Sequence, residues 1–165
     1  MALRTIMTAL AVTAGLGLAT AGTALAADPS PAPTTPGGKA LLARQAHFKE
    51  QNATFKTIND EMRKDMPDKA AIAASAAKLK ALAADLPTWF PKGSGPETGL
   101  PTAAKPEIWT DADGFAAAAA KLQDETAKLA AVSTGGDMDA IKAQVRATAA
   151  ACKTCHDKYR TPEQH

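Results

Sequence analysis

Apolar residues recur at helical spacing through most of this chain, and the repeat breaks only where proline or glycine stands. Leu41, Phe48, Phe55 and Met62 step by seven, with Ile58 between the last two, until Pro67 interrupts. From Asp68, a fitting N-cap, Ile72, Ala76, Leu79, Leu82 or Ala83, and Leu86 form a second stripe that Pro87 stops. Phe115, Leu122 and Leu129 form a third, with Ala118 and Thr126 filling it. It starts at a Thr110 or Asp111 cap and ends at Gly135-Gly136. From Asp137 to Tyr159 the fourth stripe is Met138, Ile141, Val145, Ala149, Cys152, His156 and Tyr159, stepping by three and four. Such spacing places an apolar stripe along one face of a helix, and four such stripes must bury one another. Two short connections and one long one predict an all-α, antiparallel up-down-up-down four-helix bundle. The long connection, 87–110, holds Trp89, Phe90, Ile108 and Trp109. It is expected to cross one end of the bundle with its indoles capping the core.

The last stripe contains Cys152-Lys153-Thr154-Cys155-His156. Two thiols three positions apart, followed at once by an imidazole, are the pattern of c-type haem attachment. Each thiol adds across a haem vinyl group, and the imidazole ligates the iron. On a helix, residues 152 and 156 lie one turn apart with 155 beside both. A redox C-x-x-C pair wants a βαβ context that the sequence lacks. A zinc site wants a second pair of ligands, and only His47 and His165 remain. A disulfide across three residues closes too small a loop to stabilise much.

The chain begins with a different kind of segment. Arg4 precedes an apolar run from Ile6 to Leu18, and Ala24-Leu25-Ala26 forms a small-residue cleavage site. Residues 1–26 read as a secretory signal peptide cut after Ala26; the run is too short for a convincing membrane span. Residues 27–38 carry four prolines and two glycines and read as an extended leader. The domain proper is then 39–165. Export suits covalent haem chemistry, which takes place outside the cytoplasm, and a bacterial periplasm is the expected compartment.

The full chain has 19 Lys plus Arg and 17 Asp plus Glu. Removing Arg4 leaves a formal charge of +1 on the mature chain. That balance argues against nucleic acid or an anionic membrane surface as partner.

A C-x-x-C-H on the last helix of a four-helix bundle resembles cytochrome c′. The likeness covers roughly Leu42 to Arg160. It rests on Arg44-Gln45 in the first helix, on Pro106-Glu107-Ile108-Trp109-Thr110-Asp111 before the third, and on Cys152-Lys153-Thr154-Cys155-His156-Asp157-Lys158-Tyr159-Arg160. The resemblance implies one covalent haem c per chain, with Cys152 and Cys155 as thioether anchors and His156 as the proximal iron ligand. It places Arg160 in the proximal pocket and Arg44 at a haem propionate. Phe48 falls at the distal position, where relatives carry an aliphatic residue or, in low-spin proteins, a ligating Met.

Phe cannot ligate iron. His47 lies about 100° around the helix from Phe48 and reads as a solvated side chain, and Met62, about 21 Å along the axis, reads as core. The resemblance therefore implies five-coordinate, high-spin iron, with Phe48 as a steric gate in an apolar pocket that favours NO and CO over O₂. Electron transfer to an unidentified periplasmic redox partner needs only the same haem, and a low-spin six-coordinate carrier is the alternative. No distal His or Arg is evident to polarise peroxide, so no enzymatic activity is expected. The family often forms homodimers through its first two helices.

Overall fold

The computed structural model describes residues 33–162. The expected signal peptide, and the leader up to residue 32, lie outside the described residues. Four long helices make the bundle: α1, Pro36–Glu61; α2, Lys69–Asp85; α4, Ala112–Gly135; and α5, Met138–Tyr159. A one-turn helix, α3 (Glu107–Thr110), and two 3₁₀ turns, Leu86–Trp89 and Pro96–Thr98, lie in the long crossover between α2 and α4. Among the described residues there is no strand, only an isolated antiparallel bridge between Ala104 and Arg160. The fold is the expected all-α four-helix bundle.

Each of the four long helices starts where a side chain supplies the missing acceptor. Thr35 accepts from Gly38 N at 3.1 Å, and Pro36 takes the first turn. So α1 begins at Pro36, and not at Lys39, and the last residues of the leader are helical. A glycine is required there: a Cβ on Gly37 would stand 1.7 Å from the backbone oxygen of Gly93. Asp68 caps α2 through Ala71 N at 3.0 Å, Asp111 caps α4 through Gly114 N at 3.3 Å, and Asp137 caps α5 through Asp139 N at 3.0 Å. The first helix stops at Glu61, six residues before Pro67. Its last bonds tighten to Arg63 N→Asp60 O and Lys64 N→Glu61 O. Glu61 then folds the turn back by accepting from Asp68 N at 3.1 Å.

Two apolar clusters fill the bundle. One, at the crossover end, gathers Leu86, Trp89, Ile108, Phe115, Leu122 and Tyr159 with three alanines. The other gathers Ile58, Ile72, Leu79, Leu129, Ile141 and Val145 with Ala76. Fully burying one such aliphatic side chain stabilises by about 1.5–3 kcal/mol. Trp89 is core, as expected of a capping indole, and the half-buried Trp109 donates Nε1–H to Phe90 O at 3.1 Å.

The buried stripes differ in register from the sequence reading. In α5 the buried positions are Ile141, Val145, Thr148, Ala151 and Tyr159, while Ala149 and His156 are exposed. Thr148 tolerates the core because its hydroxyl donates to Gln144 O at 2.9 Å, satisfying itself within the helix. In α1 the polar residues Arg44, Gln51 and Thr54 are buried, and Phe48, Phe55 and Met62 only half-buried.

Extensive contacts join α1 to α2, α2 to α4 and α4 to α5. No comparable contact joins α1 to α5, so those two helices flank a seam that backbone packing does not close.

Candidate haem-attachment site

The thiols of Cys152 and Cys155 are free, half-buried, and packed against the crossover-end cluster. Burial pushes the Cys152 thiol above its ordinary value. Burial, reinforced by the neighbouring Cys152, pushes Cys155 up to about 11. His156, one position on, is largely open to solvent. Partial desolvation, with the positive charge of Arg160 added, holds its imidazole below the usual histidine value. Both effects favour the neutral ring, the form that donates a lone pair to a metal.

The end of α5 that carries these residues is held firmly. Tyr159 donates its hydroxyl to Asp111 Oδ2 at 2.8 Å, and Lys158 Nζ lies 2.6 Å from the same oxygen. Arg160 N closes the helix on His156 O at 3.0 Å. Beyond it, Lys105 N donates to Tyr159 O at 3.0 Å and Thr161 N to Ala103 O at 2.9 Å.

Across the seam, α1 presents Phe48, which packs on the same cluster as the two cysteines. Its ring meets Trp89 edge-on at 5.3 Å and Phe90 at 6.1 Å. His47 is half-buried and not simply solvated: its ring stacks on the same Trp89 at 4.8 Å with 20° between planes.

Arg44 is buried, and its guanidinium is committed to the crossover. Nη1 donates to Trp89 O at 3.3 Å and Ser94 Oγ at 3.0 Å, and Nη2 to Ser94 O at 2.9 Å and Thr102 Oγ1 at 3.5 Å. The guanidinium carbon sits 4.6 Å from the Phe90 ring centre, a cation–π contact. Gln45 donates to Pro101 O at 2.9 Å. These roles for Arg44 and Gln45 were not visible in the sequence, because their acceptors are loop carbonyls and hydroxyls some 45–58 residues away.

The structure thus brings Phe48, Cys152 and Cys155 to one cluster and places Arg160 beside His156. It seats Arg44 under the crossover. It adds Gln51, buried on α1 one turn beyond Phe48. Residues 44, 48 and 51 step by four and three, so spacing alone marks Gln51 as facing inward.

The donor set fits a covalently attached haem. Two free thiols share a half-buried face of one helix, the adjoining imidazole is kept neutral, an aromatic wall stands opposite, and the seam between α1 and α5 is not closed by helix packing. The sequence profile of the family described as Cytochrome C' matches residues 39–160. The chain belongs to the cytochrome c′ family. It is 39% identical over 124 residues to the cytochrome c′ of Rubrivivax gelatinosus, covering 74% of this chain and 95% of the relative. The crystal structure of cytochrome c′ from that organism aligns with a TM-score of 0.69 at 36% identity, covering 76% of this chain and 97% of the other. A nitric oxide complex of a leucine-to-isoleucine variant of cytochrome c prime from Alcaligenes xylosoxidans aligns equally well, with a TM-score of 0.69, 31% identity, and coverage of 76% and 97%. A variant of the same protein is solved with carbon monoxide bound. Cytochromes c′ carry covalently bound haem c as their cofactor.

Proposed function

We propose that this chain is an exported haem c protein whose iron is five-coordinate and high-spin, and that it transfers electrons, binds NO and CO, or both. The observation that carries this reading is the placement of Phe48, a residue without ligand atoms, on the cluster that also holds Cys152 and Cys155. The haem, when bound, supplies a one-electron Fe(III)/Fe(II) couple and a coordination position for a small ligand.

Cys152 and Cys155 would anchor the group through thioethers, and His156 would supply a nitrogen ligand to its iron. Burial, with the charge of Arg160 added, disfavours protonation of His156 and would favour the ligating form of that ring. Phe48, packed on the same cluster as the two cysteines, would offer bulk and no ligand atom to the iron. A propionate contact from Arg44 exchanges one of its present acceptors, of which Thr102 at 3.5 Å is the weakest. No peroxide cleavage is expected, since the α1 imidazole nearest Phe48, His47, is engaged on Trp89.

Export and cleavage after Ala26 place the mature protein in the periplasm, where it meets a redox partner and pairs with a second copy. No described helix is long and apolar enough to cross a membrane. Ferric optical and EPR spectra of the holoprotein test the reading. High-spin spectra, with NO and CO binding to the ferrous form, are expected. A low-spin spectrum with a nitrogen or sulfur sixth ligand overturns it. N-terminal sequencing of the exported protein should begin at Ala27.

A further inference from the structure

One buried side-chain oxygen among the described residues has no hydrogen-bond partner: Gln51 Oε1. Gln51 is only 6% exposed. Leaving a buried acceptor unpaired is as unfavourable as losing a hydrogen bond, and native proteins rarely tolerate it without a reason.

The position of this residue gives the reason. Lys78 Nζ lies 2.7 Å from Glu50 Oε1, tying α1 to α2 beside Gln51. Gln123 of α4 donates to Ala83 O of α2 at 3.2 Å, and Gln144 of α5 donates to Glu125 O of α4 at 3.1 Å. Phe48 packs on one apolar cluster with Leu122, Cys152 and Cys155, and Ile58 on the other with Leu129, Ile141 and Val145, so Gln51, between Phe48 and Ile58 on α1, stands between those levels, near Thr126 of α4 and the Thr148–Cys152 turn of α5. The other polar groups of that layer are already satisfied. Thr126 donates to Leu122 O at 2.9 Å, and Thr148 to Gln144 O at 2.9 Å. Glu125 accepts from Gln144 and pairs with Lys121 at 2.6 Å. None of them turns to Gln51. The residue also shares its inward stripe with Phe48, on the helix that faces α5 across the seam.

We propose that the Gln51 carboxamide is a polar specificity residue of the distal side, hydrogen-bonding the small molecule or water admitted between α1 and α5. This rests on the haem reading above. A carboxamide suits the task, because Oε1 accepts from a water O–H and a flip of the amide presents Nε2–H to a ligand oxygen. The pocket is then not uniformly apolar, and it discriminates among diatomic molecules by polarity as well as by the bulk of Phe48.

The test is the infrared C–O stretching band of the ferrous holoprotein under CO, in the wild type, Gln51→Leu and Gln51→Met. A donor at the ligand oxygen lowers this frequency. Both variants are expected to move the band upward together, and to weaken O₂ relative to CO about fivefold, the factor of one ordinary hydrogen bond. Met fills nearly the volume of Gln, so agreement between the two variants separates polarity from repacking. An unmoved band, or a band that moves in one variant only, overturns the assignment of Gln51 while leaving the haem reading standing. Absence of covalent haem from the wild type, read from its haemochrome spectrum, overturns both.

Discussion

The hydroxyl of Tyr159 donates to Asp111 Oδ2 at 2.8 Å, joining the last turn of α5 to the residue that caps α4. Asp111 also accepts from Gly114 N and pairs with Lys158, so a single carboxylate fixes the start of one helix and the end of another. Tyr159→Phe removes one donor and leaves the rest of the cap in place. The expected loss is about 1 kcal/mol, the worth of an ordinary hydrogen bond, read as a lower urea midpoint with unchanged slope. Asp111→Ala removes the cap as well and should cost more, about 2 kcal/mol.

Arg44→Ala should be among the most destabilising single changes in the domain. It empties a buried site and strands the carbonyls of Trp89 and Ser94, to which the charged guanidinium donates. A loss of about 3 kcal/mol or more is expected by chemical denaturation. Arg44→Lys restores the charge without the planar fork and should recover only part of it.

Acid should unfold the domain in a window set largely by Glu125. Its hydrogen bonds to Lys121 and Gln144 hold the carboxyl at about 2, against an ordinary 4.5. A folded value below the unfolded one means that its contribution is complete above pH 4.5 and is lost as the pH falls toward 2. Glu125→Gln should flatten the stability profile in that interval, and its cost should be greatest near neutrality, where the interactions of the ionised carboxylate with Lys121 and Gln144 are lost in full.

The two thiols of the haem-free folded protein should alkylate slowly. Cys155, at about 11 rather than 9.0, has about a hundredfold less thiolate at pH 8 than an ordinary cysteine, and the greater nucleophilicity of a more basic thiolate returns about tenfold. Iodoacetamide should therefore modify Cys155 about tenfold more slowly in the folded chain than in urea. Equal rates would show that the thiol is not shielded as described.

Much of the fold is legible in the amino-acid sequence. The heptad stripes gave four helices, and Asp68, Asp111 and Asp137 announced three of their starts, because capping depends on residues three apart. The first helix was read too short at its start, since Pro36-Gly37-Gly38 looks like a breaker until Thr35 is seen to cap it. It was read too long at its end, where Glu61 folds the turn before Pro67 can act. The spacing of Cys152, Cys155 and His156 was plain in the sequence, and the structure adds that the two thiols are half-buried on α5. Gln51 did not stand out, because a polar residue on an apolar stripe reads as an exception, and only the full set of hydrogen bonds reveals which polar groups go unanswered. The partners of Arg44 were invisible for a simpler reason: they are loop carbonyls, and any residue has one.

Pro101 and Thr102 are bonded to α1, through Gln45 and Arg44. Ala103 receives Thr161 from beyond the end of α5, and Lys105 reaches back to Tyr159 O. The tether of one helix and the tether of the other are thus consecutive residues, separated by a single link of about 3.5 Å of extended chain. The separation of α1 and α5 is therefore written in the length of a loop. One residue inserted between Thr102 and Ala103 would let the helices part by about that link, and one deleted would draw them together, without any change to the side chains that line the space between them.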